Sequence, residues 1–66
     1  MLTLEIKSRM TLKNITQQNM ADELGMGLNT FNRKLNTGNF GLEDAKIMAK
    51  VLDIKDAKDI KRIFFA

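Results

Sequence analysis

The sequence contains no cysteine, histidine, proline, tryptophan or tyrosine, and its only serine is Ser8. Without cysteine the chain has no disulfide, no thiolate nucleophile and no cysteine-based zinc site, and without histidine it lacks the commonest metal ligand and general base. The carboxylates are scattered over charged segments, so they do not assemble a catalytic constellation. We therefore expect a protein that is not an enzyme and that uses no metal and no cofactor.

Long apolar runs are also missing. At the start of the chain Leu2, Leu4, Ile6 and Met10 are separated by charged residues, and such a segment is neither a signal peptide nor a membrane span. We expect a cytoplasmic protein with no membrane partner. The 66 residues, 44% of them hydrophobic, predict one small domain over residues 1-66 that depends on packing alone for its stability.

The net charge of +3 is unevenly distributed along the chain. Residues 1 to 24 carry three basic and three acidic side chains, and residues 42 to 66 carry six basic and five acidic ones. Between them, Arg33 and Lys34 are accompanied by no acid. Such a segment attracts phosphate, but two cations on an exposed helix face are also ordinary solvated residues. The charge pattern alone leaves both interpretations open.

Residues 16 to 38 have the pattern of two short amphipathic helices joined by a glycine turn. Thr16 is a good N-cap for a helix that starts at Gln17. We expect the full capping box to be absent, because its third helical position requires Glu or Gln and holds Asn19. The inward face of this helix consists of Met20, Ala21 and Leu24.

Gly25 ends this first helix, because glycine takes a positive φ angle at little cost. Gly27 is the expected N-cap of a second helix over about residues 28 to 36. Phe31 and Leu35 form its apolar i, i+4 pair. The small Ala21 of the first helix lets the two helices cross closely.

The other segments have helical periodicity as well. Leu2, Ile6 and Met10 predict a helix over about residues 2 to 12, and a last helix is expected over about residues 55 to 65. A further helix has an apolar face formed by Leu42, Ala45, Met48, Ala49 and Leu52. Met20, Met26 and Met48 are expected to fill the core. No segment has the alternation of a β-strand, so the sequence predicts an all-α fold of five helices.

The helix pair resembles the helix-turn-helix of the lambda-repressor-like and Cro-type family of phage repressors. The resemblance covers about residues 6 to 65 and departs from the family pattern at Lys34, where an apolar residue is common, and at residues 36 to 38, where the family usually has Asn-Gly. It implies a compact five-helix DNA-binding domain with its helix-turn-helix at about residues 17 to 36. The matching residues are Thr16-Gln17, Ala21-Asp22, Leu24-Gly25-Met26-Gly27, Phe31 and Ala49-Lys50-Val51-Leu52.

The resemblance implies that Gln17 contacts the sugar-phosphate backbone and that the second helix enters the major groove. Its side chains suit base edges, because Arg33 matches guanine and asparagine matches adenine, while Leu28 or Thr30 suits a thymine methyl. Each residue also has an ordinary structural role as a solvated or capping residue. The residues expected to contact DNA are Gln17, Gln18, Leu28, Asn29, Thr30, Asn32, Arg33, Lys34, Asn36 and Asn39.

The leading hypothesis is therefore a sequence-specific regulator that binds double-stranded DNA, of the phage or mobile-element repressor type. A protein-interaction adaptor, such as an antitoxin, is the main alternative, because the same fold serves both functions. RNA binding has weak support, since exposed aromatic residues for stacking are missing.

The apolar end of the chain suggests a second partner. Ile60, Ile63, Phe64 and Phe65 supply more apolar surface than one inward helix face hides, so we expect a weak homodimer with Phe65 exposed on the monomer. The alternative is that all four side chains fold back onto the small core.

Overall fold

The computed structural model describes residues 1 to 65, and Ala66 at the end of the predicted apolar tail lies outside the described residues. The described residues form five α-helices and no strand, so the prediction of an all-α, five-helix fold is confirmed. The helices are α1 Thr3–Leu12, α2 Gln17–Glu23, α3 Leu28–Thr37, α4 Leu42–Val51 and α5 Ala57–Phe65. None of them, within residues 1 to 65, is long and apolar enough to cross a lipid bilayer.

The helix bounds differ from the predicted ones by at most two residues. The largest difference is at α5, which begins at Ala57 instead of residue 55. The Asp56 side chain accepts a hydrogen bond from the Lys58 N–H at 2.8 Å, so Asp56 acts as the N-cap and fixes the start of the helix.

One apolar core holds the helices together, and every buried residue in the described chain is hydrophobic. The predicted core methionines are confirmed, because Met20 and Met48 are fully buried and Met26 packs against the core from its edge. The core consists of Ile6, Met10, Met20, Ala21, Phe31, Leu35, Ala45, Met48, Ala49, Leu52, Ile54, Ile63 and Phe64.

The two glycines in the turn between α2 and α3 have the predicted backbone roles. Gly25 has a φ of +69°, and Gly27 is the N-cap of α3 in extended conformation. Ala21 is fully buried, and its carbonyl accepts a hydrogen bond from the Met26 N–H at 3.0 Å. The four-residue connection and the close packing of α2 on α3 therefore fix the position of α3.

The expectation that α2 lacks a full capping box is wrong. The Thr16 hydroxyl accepts a hydrogen bond from the Asn19 N–H at 3.0 Å, and the Asn19 side-chain oxygen accepts one from the Thr16 N–H at 3.1 Å. Asn carries the same carboxamide acceptor as Gln, and here its shorter side chain reaches the N-cap amide. Both reciprocal bonds of the motif are thus present.

The C-terminal end of α3 is held by residues that are distant in sequence. Gly38 ends the helix with a φ of +67°. The Thr3 hydroxyl at the start of α1 donates to the Leu35 carbonyl at 3.1 Å. The Phe40 ring packs on the Phe31 ring, with centroids 5.8 Å apart, so the loop after α3 is attached to the core.

The first and last helices are joined by charged side chains. Arg62 on α5 donates two hydrogen bonds to the Glu5 carboxylate, at 2.7 and 2.9 Å. Arg9 contacts the same carboxylate at 3.1 Å. The hydrogen bonds from Arg62, with a smaller contribution from Arg9, lower the pKa of Glu5 from 4.5 to about 2. The same Arg62 contact raises the pKa of Arg62, while partial desolvation opposes both shifts.

The predicted apolar faces of α4 and α5 differ in part from those in the structure. Leu42 was expected on the inward face of α4, but its side chain is 58% exposed. It is the first helical residue, and Cβ atoms point toward the helix N-terminus, so the side chain extends past the end of the helix. At the other end of the chain, Ile63 and Phe64 are buried in the core whereas Phe65 is 47% exposed. The predicted exposure of Phe65 is thus confirmed, and Ile63 and Phe64 are not available to a dimer partner.

Candidate nucleic-acid interface

Helix α3 has two chemically distinct faces. Phe31 and Leu35 point into the core and are at most 1% exposed. Asn29, Arg33 and Asn36 are exposed, and the helical repeat places these three within an arc of about 60° on the opposite side. The helix therefore presents two amides and a guanidinium together on one solvent-exposed strip.

The remaining predicted residues of α3 border this strip. Asn32 lies on one edge, Thr30 and Lys34 lie on the other, and all three are partly buried. Leu28 is the first residue of the helix and is 37% exposed. It precedes the buried Leu35 by seven residues and so lies on the core side of the helix, apart from the strip, with its exposed part at the N-terminal end of α3.

Arg33 is the group on this strip that is best placed to bind an anion or a base edge. Its side chain is exposed, and no acidic residue of residues 1 to 65 forms an ion pair with it. A guanidinium presents its donors in a planar fork that fits two acceptors at once, as on guanine or phosphate. By contrast, the Thr37 hydroxyl next to it is occupied, because it donates to the Arg33 carbonyl at 2.9 Å.

The two predicted glutamines lie in the first turn of α2, and they differ in their surroundings. Gln17 is partly buried and lines a groove with Lys7 and Thr11 of α1. Gln18 is exposed, and its amide donates to the Asp22 carboxylate at 2.9 Å. Gln18 must give up this bond to contact a ligand, whereas Gln17 has no such competing side-chain bond within the described chain.

Asn39, in the loop after α3, is exposed. Its backbone N–H donates to the Lys34 carbonyl at 3.0 Å, so the backbone of this residue is ordered while its side chain faces solvent. Asn36 and Asn39 therefore flank the C-terminal end of α3 with two exposed amides.

Residues 25 to 41 contain no acidic residue, but an acidic side chain from α4 lies beside this segment in the folded protein. The Lys34 ammonium lies 4.0 Å from the Asp44 carboxylate of α4, and both side chains are partly buried. Asp44 lies outside residues 25 to 41 in the sequence, but the fold places it at the edge of α3. The strip is thus basic at Arg33, while the positive charge of Lys34 at its edge faces the carboxylate of Asp44.

Three residues that shape this surface were missed by the sequence interpretation. Asp44 had a signal, since it is an acidic residue two positions after Leu42, in the first turn of the predicted helix that follows the glycine loop. Phe40 had a weaker one, as the single aromatic residue of a polar loop. Thr3 had none, because its bond to the Leu35 carbonyl joins residues far apart in the chain.

The chain matches no protein-family model, no curated protein and no solved structure.

Proposed function

We propose that the chain is a sequence-specific double-stranded DNA-binding protein that inserts α3 into the major groove and regulates transcription. The sequence motif of residues 16 to 38 resembles that of phage repressors, and a repressor of phage or mobile-element type is the proposed role. The observation that carries the proposal is the exposed strip of Asn29, Arg33 and Asn36 on a helix whose other face is fixed in the core.

The chemistry of the strip favours duplex DNA as its ligand. Arginine and asparagine are the side chains that form paired hydrogen bonds with guanine and adenine edges in the major groove. The rigid attachment of α3, through the α2 turn, Thr3 and Phe40, supports the fixed docking geometry that such contacts require. Lys34 and Asn39 at the end of α3 are the proposed phosphate contacts.

A homodimer is proposed as the DNA-binding form. The longest dimension of the described chain is 29 Å, whereas half-sites one helical turn apart are separated by about 34 Å. One copy therefore covers one half-site. The proposed contact is centred on the exposed Phe65, because Ile60 packs against the core, and this small surface makes a weak dimer that is completed on DNA.

Selection of bound sequences from random duplex DNA tests the proposal. A preferred site with two-fold symmetry is expected, and affinity should fall steeply with salt, because phosphate contacts release counterions. Arg33→Ala should weaken the preferred site by about 1 to 3 kcal/mol and random duplex less. Lys46→Ala is the matched control, since Lys46 on α4 is also exposed and without an ion-pair partner in residues 1 to 65.

The result that overturns the proposal is the absence of duplex binding at low salt. The protein-interaction adaptor would then lead, and one observation favours it: Leu4 and Leu12 on the outer face of α1 are 82% and 80% exposed.

Sedimentation of the wild type and of Phe65→Ser with a two-site duplex tests the dimer separately. Non-cooperative binding of one monomer per duplex would contradict it.

A further inference from the structure

Lys34 and Asp44 connect the proposed DNA-contacting helix to the helix that follows it. The Lys34 ammonium and the Asp44 carboxylate are 4.0 Å apart, with side-chain exposures of 34% and 24%. Asp44 is in the first turn of α4, where the helix dipole stabilises an anion. The carboxylate therefore lies beside a lysine at the edge of the α3 strip.

A DNA phosphate and this carboxylate require the same ammonium group. We propose that Asp44 is an intramolecular competitor of DNA phosphate for Lys34, and that this competition limits the affinity of the chain for every duplex. The inference rests on the proposed function. It assigns Asp44, which contacts no DNA itself, the role of setting how much of the Lys34 charge is available to the phosphate backbone.

The competition has a distinctive effect on affinity and specificity. Exposed ion pairs of this kind change an equilibrium by up to about fivefold, so removing the Asp44 charge should tighten binding by about two- to fivefold. Phosphate contacts carry no base information, so preferred and random duplexes should gain by the same factor. The slope of log affinity against log salt should become steeper by up to about 0.9, the value of one phosphate contact.

The test is fluorescence anisotropy with a preferred and a random duplex over a range of salt concentrations. Asp44→Asn is the test variant. Glu43→Gln is the matched control, because Glu43 is the adjacent residue in the same helical turn, is exposed and forms no ion pair within residues 1 to 65, and its replacement changes the net charge equally. Thermal unfolding of both variants checks that α4 is equally stable in each.

The expected result is tighter binding of both duplexes by Asp44→Asn, a clearly smaller change for Glu43→Gln, and no gain from Asp44→Asn when Lys34 is already alanine. Equal effects of the two carboxylate variants, or an undiminished gain in the Lys34→Ala background, would overturn the competition while leaving DNA binding intact. If neither the wild type nor Asp44→Asn binds any duplex at low salt, the competition and the proposed function both fail.

Discussion

Thr16→Ala tests the capping box that fixes the start of α2. The substitution removes the hydroxyl oxygen that accepts the Asn19 N–H at 3.0 Å, and loss of an N-cap side chain costs about 1 kcal/mol, within a range of about 0.5 to 2. For a chain of 66 residues, the unfolding entropy is about 0.14 kcal/mol/K. The melting temperature should therefore fall by about 7 °C.

Thr11→Ala is the matched control for this experiment. The Thr11 hydroxyl also makes one hydrogen bond, but it donates to the Lys7 carbonyl within α1, where alanine is the better helix former. Thermal unfolding followed by circular dichroism should show a clear loss for Thr16→Ala and none for Thr11→Ala. Asn19→Gln keeps a carboxamide acceptor and should change the melting temperature little. Equal losses for the two threonine variants would refute the capping argument.

Three further predictions concern the fold. Gly25→Ala should cost about 1 kcal/mol and Gly25→Asn clearly less, because a Cβ meets open space at this position but the φ of +69° is a conformation that asparagine adopts more readily than alanine; equal melting temperatures of the two variants would contradict this. Glu5→Gln should lower stability at neutral pH, and the difference should vanish as the pH falls from 4.5 through about 2, because the Arg62 hydrogen bonds lower the carboxyl pKa to that value and their contribution is present only while the group is ionised; a difference independent of pH would contradict it. Phe31→Ala should lower the free energy of unfolding by about 3 to 5 kcal/mol, which is close to the whole stability of so small a domain. A cooperative thermal unfolding transition near that of the wild type would show that this residue does not anchor the core.

The features of the fold that depend on neighbouring residues were predictable. Gly25 and Gly27 specify the turn before α3, and the spacing of Phe31 and Leu35 specifies its inward face. Asn19 shows the limit of motif matching, because the capping box requires an acceptor at the right distance and not a particular residue. Leu42 shows a second limit, because periodicity does not say whether a residue at a helix end has a neighbouring helix to cover it.

Features that depend on the tertiary arrangement were not predictable from local patterns. The position of Asp44 beside Lys34 follows from the path of the loop after α3, which no local pattern specifies. The exposure of Phe65 was predicted, but the burial of both Ile63 and Phe64 follows from the packing of α5 on α1, where the Leu2 N–H donates to the Ile63 carbonyl at 2.7 Å. The polar strip on α3 was predictable, because its members share one helix and its opposite face is apolar.

Titration of the isotope-labelled protein with its preferred duplex, followed by backbone and side-chain amide NMR signals, tests directly whether α3 is the DNA-binding element. We predict that the largest shifts occur at Asn29, Arg33 and Asn36, with smaller ones at Gln17 and Asn39, while signals from the outer face of α1 are unchanged. A titration that shifts only signals of α1 or α5, or none at all, would contradict the claim that α3 is the DNA-binding element.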